Sequence, residues 1–254
     1  MLSAALLILV AFAASLLTFV SGFGLGTLLL PAFALFVPLP VAVTLTAAVH
    51  LLNNLFKFSL LHPHVHRPTV LRFGLPAIAG ALLGAWLLVR LGELEPLYYG
   101  MDHPVGPLQV TIGLLMVLFA LLELTPAMHN YRFPAQAQTI GGLVSGFFGG
   151  LSGHQGALRS MFLVHSGLTK EGYVATGTAI ALLVDFTRIP FYLGSMDITL
   201  LTEQLPLLAG CVLAAFAGAW WGRKLLPSLT YRGVQYAVAV LLLGIAVGLL
   251  SGVI

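Results

Sequence analysis

Leu75-Pro76-Ala77-Ile78-Ala79-Gly80 is followed by Gly84-Ala85-Trp86, and both return in order as Leu205-Pro206-Leu207-Leu208-Ala209-Gly210 and Gly218-Ala219-Trp220. Upstream of each copy, Ala42 to Lys57 resembles Tyr173 to Arg188, in a register that sets Asn54 against Asp185 and Lys57 against Arg188. Shared small apolar composition explains part of this likeness. The ordered return of the motifs is hard to obtain by chance, so the chain reads as two copies of one unit: residues 1–125, a cytoplasmic linker at 126–135, and residues 136–254.

The setting of the repeat is a membrane. Of the 254 residues, 59% are hydrophobic and only 7% are charged, against roughly 25% charged in soluble domains. Mean hydropathy is +1.03 over the whole chain, more apolar surface than a soluble fold of this size can hide. A cytosolic enzyme, a nucleic-acid binder and a disordered chain are thereby excluded. The net charge of +3 does not point to nucleic acid, because in a membrane protein the placement of Lys and Arg carries the information. Cys211 is the only cysteine, which excludes an internal disulfide. Ala11-Phe12-Ala13 imitates a signal-peptide cleavage site, but no basic residue precedes it and the repeat includes it, so residues 1–20 read as a retained membrane segment.

A spanning helix needs about 20 apolar residues, since the hydrocarbon core is roughly 30 Å thick. Segments of that kind lie at about 2–20, 41–61, 70–91, 108–125, 171–193, 201–225 and 231–252. Shorter apolar runs occupy 26–37, 136–150 and 156–166. Two of them follow glycine-rich breaks, Ser21-Gly22-Phe23-Gly24-Leu25-Gly26 and Gly149-Gly150-Leu151-Ser152-Gly153-His154-Gln155-Gly156. They read as half-helices, re-entrant or fully crossing. If each turns back at its break, one side collects Lys57, Arg67, Arg72, Arg132, Lys170, Arg223, Lys224 and Arg232, and the other only Arg90, Arg159 and Arg188. The positive-inside rule makes the first side cytoplasmic and puts both termini outside. Each half then crosses a net odd number of times, so the halves point in opposite directions. The expected fold is an all-α polytopic membrane protein of two inverted-topology repeats, each of about five helical segments, as in secondary transporters.

Broken backbone inside a bilayer is tolerated only where protein or a water-filled cavity surrounds it. A half-helix beginning at such a break presents unpaired N–H groups and the positive end of its dipole, and glycine lets a ligand approach closely. Two such ends converging near Gly26 and Gly156 favour a small anion. The bland reading, glycine for helix packing, fits any single glycine better than it fits the pair of breaks. Among intramembrane polar residues, Asn53 and Asn54 share a helical face with Lys57, and Asp185 and Arg188 repeat that spacing. Lys57, Asp185 and Arg188 are expected to gate or couple transport, or in the basic cases to snorkel. Arg159 stands in the first turn after the second break, as an anion ligand or in an ion pair with Asp185 or Glu171. His154 is a candidate proton carrier, and His50 reads as a packed, hydrogen-bonded residue. His62-Pro63-His64-Val65-His66 is the one metal-like pattern, with no acidic or thiol residue beside it to complete a site. No hydrolase, metalloprotease or P-loop motif is present.

Phe23-Gly24-Leu25-Gly26 leading to Pro31, the helix ending Asn53-Asn54-Leu55-Phe56-Lys57, and Leu75 to Ala85 resemble the sulfite exporter TauE/SafE family, also called the toluene-sulfonate uptake permease family. The likeness covers nearly the whole chain and is strongest over 21–90. It implies a multi-pass permease of the bacterial or archaeal inner membrane, moving small sulfur-containing anions such as sulfite or organosulfonates. The family's two glycine motifs correspond to 22–26 and 152–156 here. The second departs from the family pattern. Gly153-His154-Gln155-Gly156-Ala157-Leu158-Arg159 stands where a glycine cluster followed by proline is usual.

The expected substrate site is therefore Gly22, Phe23, Gly24, Gly26, Asn53, Asn54, Gly153, His154, Gln155, Gly156 and Arg159. The expected mechanism is alternating access, with proton coupling through His154 or Asp185. No metal and no cofactor are called for, and the expected partners are a small anion and the lipid bilayer, with no nucleic acid; a homodimer is compatible. The rival functions are an anion channel and an intramembrane metalloenzyme built on His62, His64 and His66.

Overall fold

The computed structural model describes residues 2–21, 25–125, 133–134, 137–163, 166–195, 198–225 and 231–254. The first half contributes α1 (Leu2–Ser21), α2 (Leu25–Ala34), α3 (Leu39–Leu61), α4 (Arg67–Gly92) and α5 (Pro107–Leu124). The second contributes α6 (Ala137–Ser152), α7 (Gln155–Leu163), α8 (Lys170–Gly194), a short α9 (Ile198–Glu203), α10 (Leu205–Leu225) and α11 (Tyr231–Ser251). The only strands among the described residues are β1 (Tyr98–Tyr99) and β2 (Pro104–Val105), an antiparallel clip between α4 and α5. The chain is an all-α multi-pass membrane protein.

Local chemistry sets the element ends. Thr169 caps α8 by accepting from the Gly172 N–H at 3.0 Å, with Glu171 in the first turn to complement the dipole. Pro76 follows a π-turn at Val70–Gly74 inside α4, a widening that accommodates a proline without an amide hydrogen. The sequence suggests one span over 201–225, but the helix is divided at Gln204. Pro206 cannot donate to a preceding turn, so α10 restarts with proline in its first turn.

Glycine then decides how the helices pack. In α4, Gly80 and Gly84 lie against the backbone of Leu143 and Phe147 in α6, while Gly142, Gly146 and Gly150 of α6 lie against Phe73, Ala77 and Ala81 of α4. A Cβ at any of these positions would overlap a carbonyl oxygen, so the two backbones meet directly along parallel axes. The α1–α10 pair repeats the arrangement, with Gly218 against Phe12 and Gly210 against Ile8. α3 packs against α8 in the opposite sense, His50 meeting Asp185 while the His66 N–H reaches Thr176 Oγ1 at 3.0 Å. The end of α11 meets the start of α5, where Met101, Asp102 and His103 donate to the carbonyls of Ser251 and Gly252.

In these four pairings α1 packs on α10 and α6 on α4 with parallel axes, while α3 with α8 and α5 with α11 run antiparallel. α2 spans only about 15 Å and is buried at every position except Leu28, as a half-helix inside a bilayer must be. The outer faces are apolar instead, with Leu83, Trp86, Leu213, Trp221, Val240 and Val247 all exposed, which suits a protein solvated by lipid.

Candidate functional site

The two glycine breaks meet. Gly153 ends α6 in the left-handed region (φ +79°), and α7 starts two residues later. Gly26, in the first turn of α2, lies against the carbonyl oxygen of Gly153; a Cβ on Gly26 would stand 3.1 Å from that oxygen. Both half-helices therefore begin beside one contact, with their positive ends there. Gly156 is buried in the first turn of α7. Gly22, Phe23 and Gly24, expected in the same site, lie outside the described residues.

Next to this contact α3 and α8 share a buried polar network centred on Asp185. Its Oδ2 lies 2.6 Å from His50 Nδ1 and accepts from Asn54 Nδ2 at 3.2 Å. Its Oδ1 accepts from Arg188 Nε at 3.0 Å, with Nη2 at 2.9 Å. Arg188 also donates through Nη1 to the Gly149 carbonyl at 3.0 Å, and Tyr192 donates its hydroxyl to the Gly150 carbonyl. A cation and a hydroxyl thus close the carbonyl end of α6. Arg188 and Asp185, both 0% exposed, fasten α8 to the break. The spacing of Asn54 to Lys57 and of Asp185 to Arg188 was legible in the sequence; the entry of His50 into the carboxylate's coordination was not, because its partner comes from the other half.

Lys57 and Arg159 have a different setting. They line one cavity of about 30 Å³ together with His50, Asn54, Tyr173, Gly177, Thr178, Thr18 and Leu25, the first residue of α2. That is room for a water molecule or two. No carboxylate is among its lining residues. Arg159 reaches Gln155 Oε1 at 3.4 Å and lies against Gly177, not against Asp185 or Glu171. Tyr173, unforeseen in the sequence, donates to Ser160 Oγ at 2.8 Å. Asn53 is buried behind the cavity, where its amide meets Ser15 and, with the nitrogen turned to the Ala215 carbonyl, offers its oxygen to Lys57 Nζ at 3.3 Å. His154 points elsewhere, stacked on Phe119 at 5.0 Å with Nδ1 3.0 Å from Ser152 Oγ.

Charge makes the chemistry of the region plain. The buried described residues include three Lys or Arg side chains (Lys57, Arg159, Arg188) against one Asp or Glu, Asp185. Asp185 is engaged by Arg188 and His50, and the cavity wall carries the two basic side chains Lys57 and Arg159.

The sequence profile of the sulfite exporter TauE/SafE family matches residues 7–249. The chain belongs to that family. Neither a curated protein nor a solved structure matches it. Membership makes it a membrane transport protein, and the matched range includes both glycine breaks, both buried cations of the cavity and the Asp185 network. The metal-like loop stays apart from all of this. His62 and His64 are exposed, His66 Nδ1 lies 2.8 Å from Thr69 Oγ1, and no group of three His, Cys, Asp or Glu able to hold a metal occurs among the described residues.

Proposed function

We propose that this TauE/SafE protein is a secondary transporter of a small sulfur-containing anion, sulfite or an organosulfonate, working by alternating access. One observation carries the reading. Two half-helices start at the Gly26–Gly153 contact, and the start of α2 borders a cavity walled by Lys57 and Arg159. Helix N-termini and two cations in low dielectric stabilise an anion and repel a cation. In this reading residues 1–125 and 136–254 are the inverted halves, joined by a cytoplasmic linker at 126–135, in the inner membrane with both termini outside. The Asp185–Arg188 pair fastens the outward end of the path, and Lys57 faces the cytoplasmic end. Proton coupling through Asp185 or His154 belongs to the same proposal.

The test is flux of sulfite and of methanesulfonate into proteoliposomes. A carrier gives saturable uptake accelerated by unlabelled anion on the far side. Absence of flux above empty vesicles overturns the proposal, and conductance far above carrier turnover replaces it with a channel.

A further inference from the structure

Among the described residues, four buried side-chain atoms have neither a hydrogen-bond nor an ion-pair partner: Thr27 Oγ1, Thr46 Oγ1, His154 Nε2 and Gln155 Nε2. They are not scattered. Thr27 follows Gly26, and Thr46 sets its methyl carbon toward Gly26, 3.6 Å from where a Cβ would stand. His154 and Gln155 follow Gly153, and the Arg188 guanidinium closes over Gly153. Every one belongs to a residue that makes or flanks the contact between the two breaks. None of the four residues is more than 3% exposed.

Native interiors keep few unpartnered polar atoms, so a group of them on residues that make or flank one contact marks a place that something polar fills. The two hydroxyls and the amide nitrogen are able to donate, and the imidazole nitrogen is too when it carries a proton. Donors gathered at two helix starts suit an oxyanion. Thr46 strengthens the case. Threonines inside helices commonly return their hydroxyl to their own backbone, as Thr44 does to Pro40 at 2.9 Å and Thr187 to Leu183 at 2.7 Å. Thr46, on the same helix as Thr44, does not.

We propose that Thr27 and Thr46 are direct ligands of the transported oxyanion. Together with the first turn of α2 and with Gln155 across the break, they form an inner seat beside the Lys57–Arg159 cavity, whose lining includes Leu25. The inference rests on the anion-transport reading and adds to it the residues that replace the anion's water.

The experiment exploits opposite signs. Replacing an unpartnered buried hydroxyl by a methyl group of the same shape is neutral or favourable for the fold. Removing a hydrogen bond to an anion weakens binding about tenfold or more. Thr27→Val and Thr46→Val should therefore unfold at the parent's temperature or above it in the absence of anion. Both should need about tenfold more sulfite for half-maximal thermal stabilisation and half-maximal uptake. Thr27→Ser and Thr46→Ser keep the hydroxyl and should keep the affinity even where a valine variant folds poorly. Valine variants with the parent's sulfite affinity overturn the seat and leave the transport reading standing. Serine variants as weak as the valine ones overturn it too. A parent protein that neither binds nor moves sulfite or methanesulfonate removes both.

Discussion

Single side chains divide the buried charges between two roles. Arg188 is tied to Asp185 and to the Gly149 carbonyl, while Arg159 and Lys57 stand on a cavity wall. Removing one member of a buried ion pair leaves the other uncompensated and typically costs about 3–5 kcal/mol. Asp185→Asn should therefore lower the unfolding temperature measured in detergent, and the Asp185→Asn/Arg188→Met double variant should recover part of the loss. An Asp185→Asn protein as stable as the parent would show that the network does not contribute as described. If Asp185 also carries the coupling proton, this variant loses the pH dependence of uptake; uptake at the parent's rate and pH profile removes it from that role. Arg159→Gln acts differently. It should leave stability nearly unchanged and weaken sulfite binding by about 1.5–3 kcal/mol, the worth of a hydrogen bond to a charged group, read as a rise in the anion concentration that half-protects the protein from heat.

For the helices, the governing fact is the absence of side chains along the α4–α6 seam. Gly146 and Gly150 touch the backbone of Ala77 and Ala81 with no space for a Cβ. Gly150→Leu must push α6 off α4 and with it the break that α6 ends in, so folded protein recovered by size exclusion should fall sharply. Gly244 in α11 has nothing within 4 Å of a Cβ position. Gly244→Ala should be neutral or stabilise by about 0.5–1 kcal/mol through helix propensity alone. Equal tolerance at the two positions would contradict the packing.

At the scale of the molecule the antiparallel pairing of α3 with α8 and of α5 with α11 fixes which ends share a side. The 98–105 clip and the end of α11 are joined by backbone hydrogen bonds, so the α4–α5 loop and the C-terminus lie on one face, outside in the proposed topology. Tags at both termini should then be reached by a membrane-impermeant protease in intact cells, and a tag in the 126–135 linker should not. Cys211 is buried in α10, and in a Cys211→Ser background Thr178→Cys would report the cavity. Labelling from the cytoplasmic side, slowed by sulfite, is expected; labelling from outside alone would invert the assignment of the gates.

Sequence by itself determined the membrane class and the two short helices that follow the glycine-rich breaks, because bilayer length and glycine act locally and leave a mark along the chain. The two short runs placed at 26–37 and 156–166 are helices at Leu25–Ala34 and Gln155–Leu163, since the glycines that stop a helix are visible without a fold. It also determined the spacing of Asn54 with Lys57 and of Asp185 with Arg188, which periodicity alone puts on one helical face. Only the tertiary structure decided which charges neutralise one another. His50 meets Asp185 across the two halves, Arg159 turns from Asp185 to the cavity, and Thr27 and Thr46 are left without partners. Those outcomes depend on which faces of α3, α7 and α8 are brought together, and ion pairing in low dielectric is settled by ångström-scale distance, which spacing along a chain does not contain.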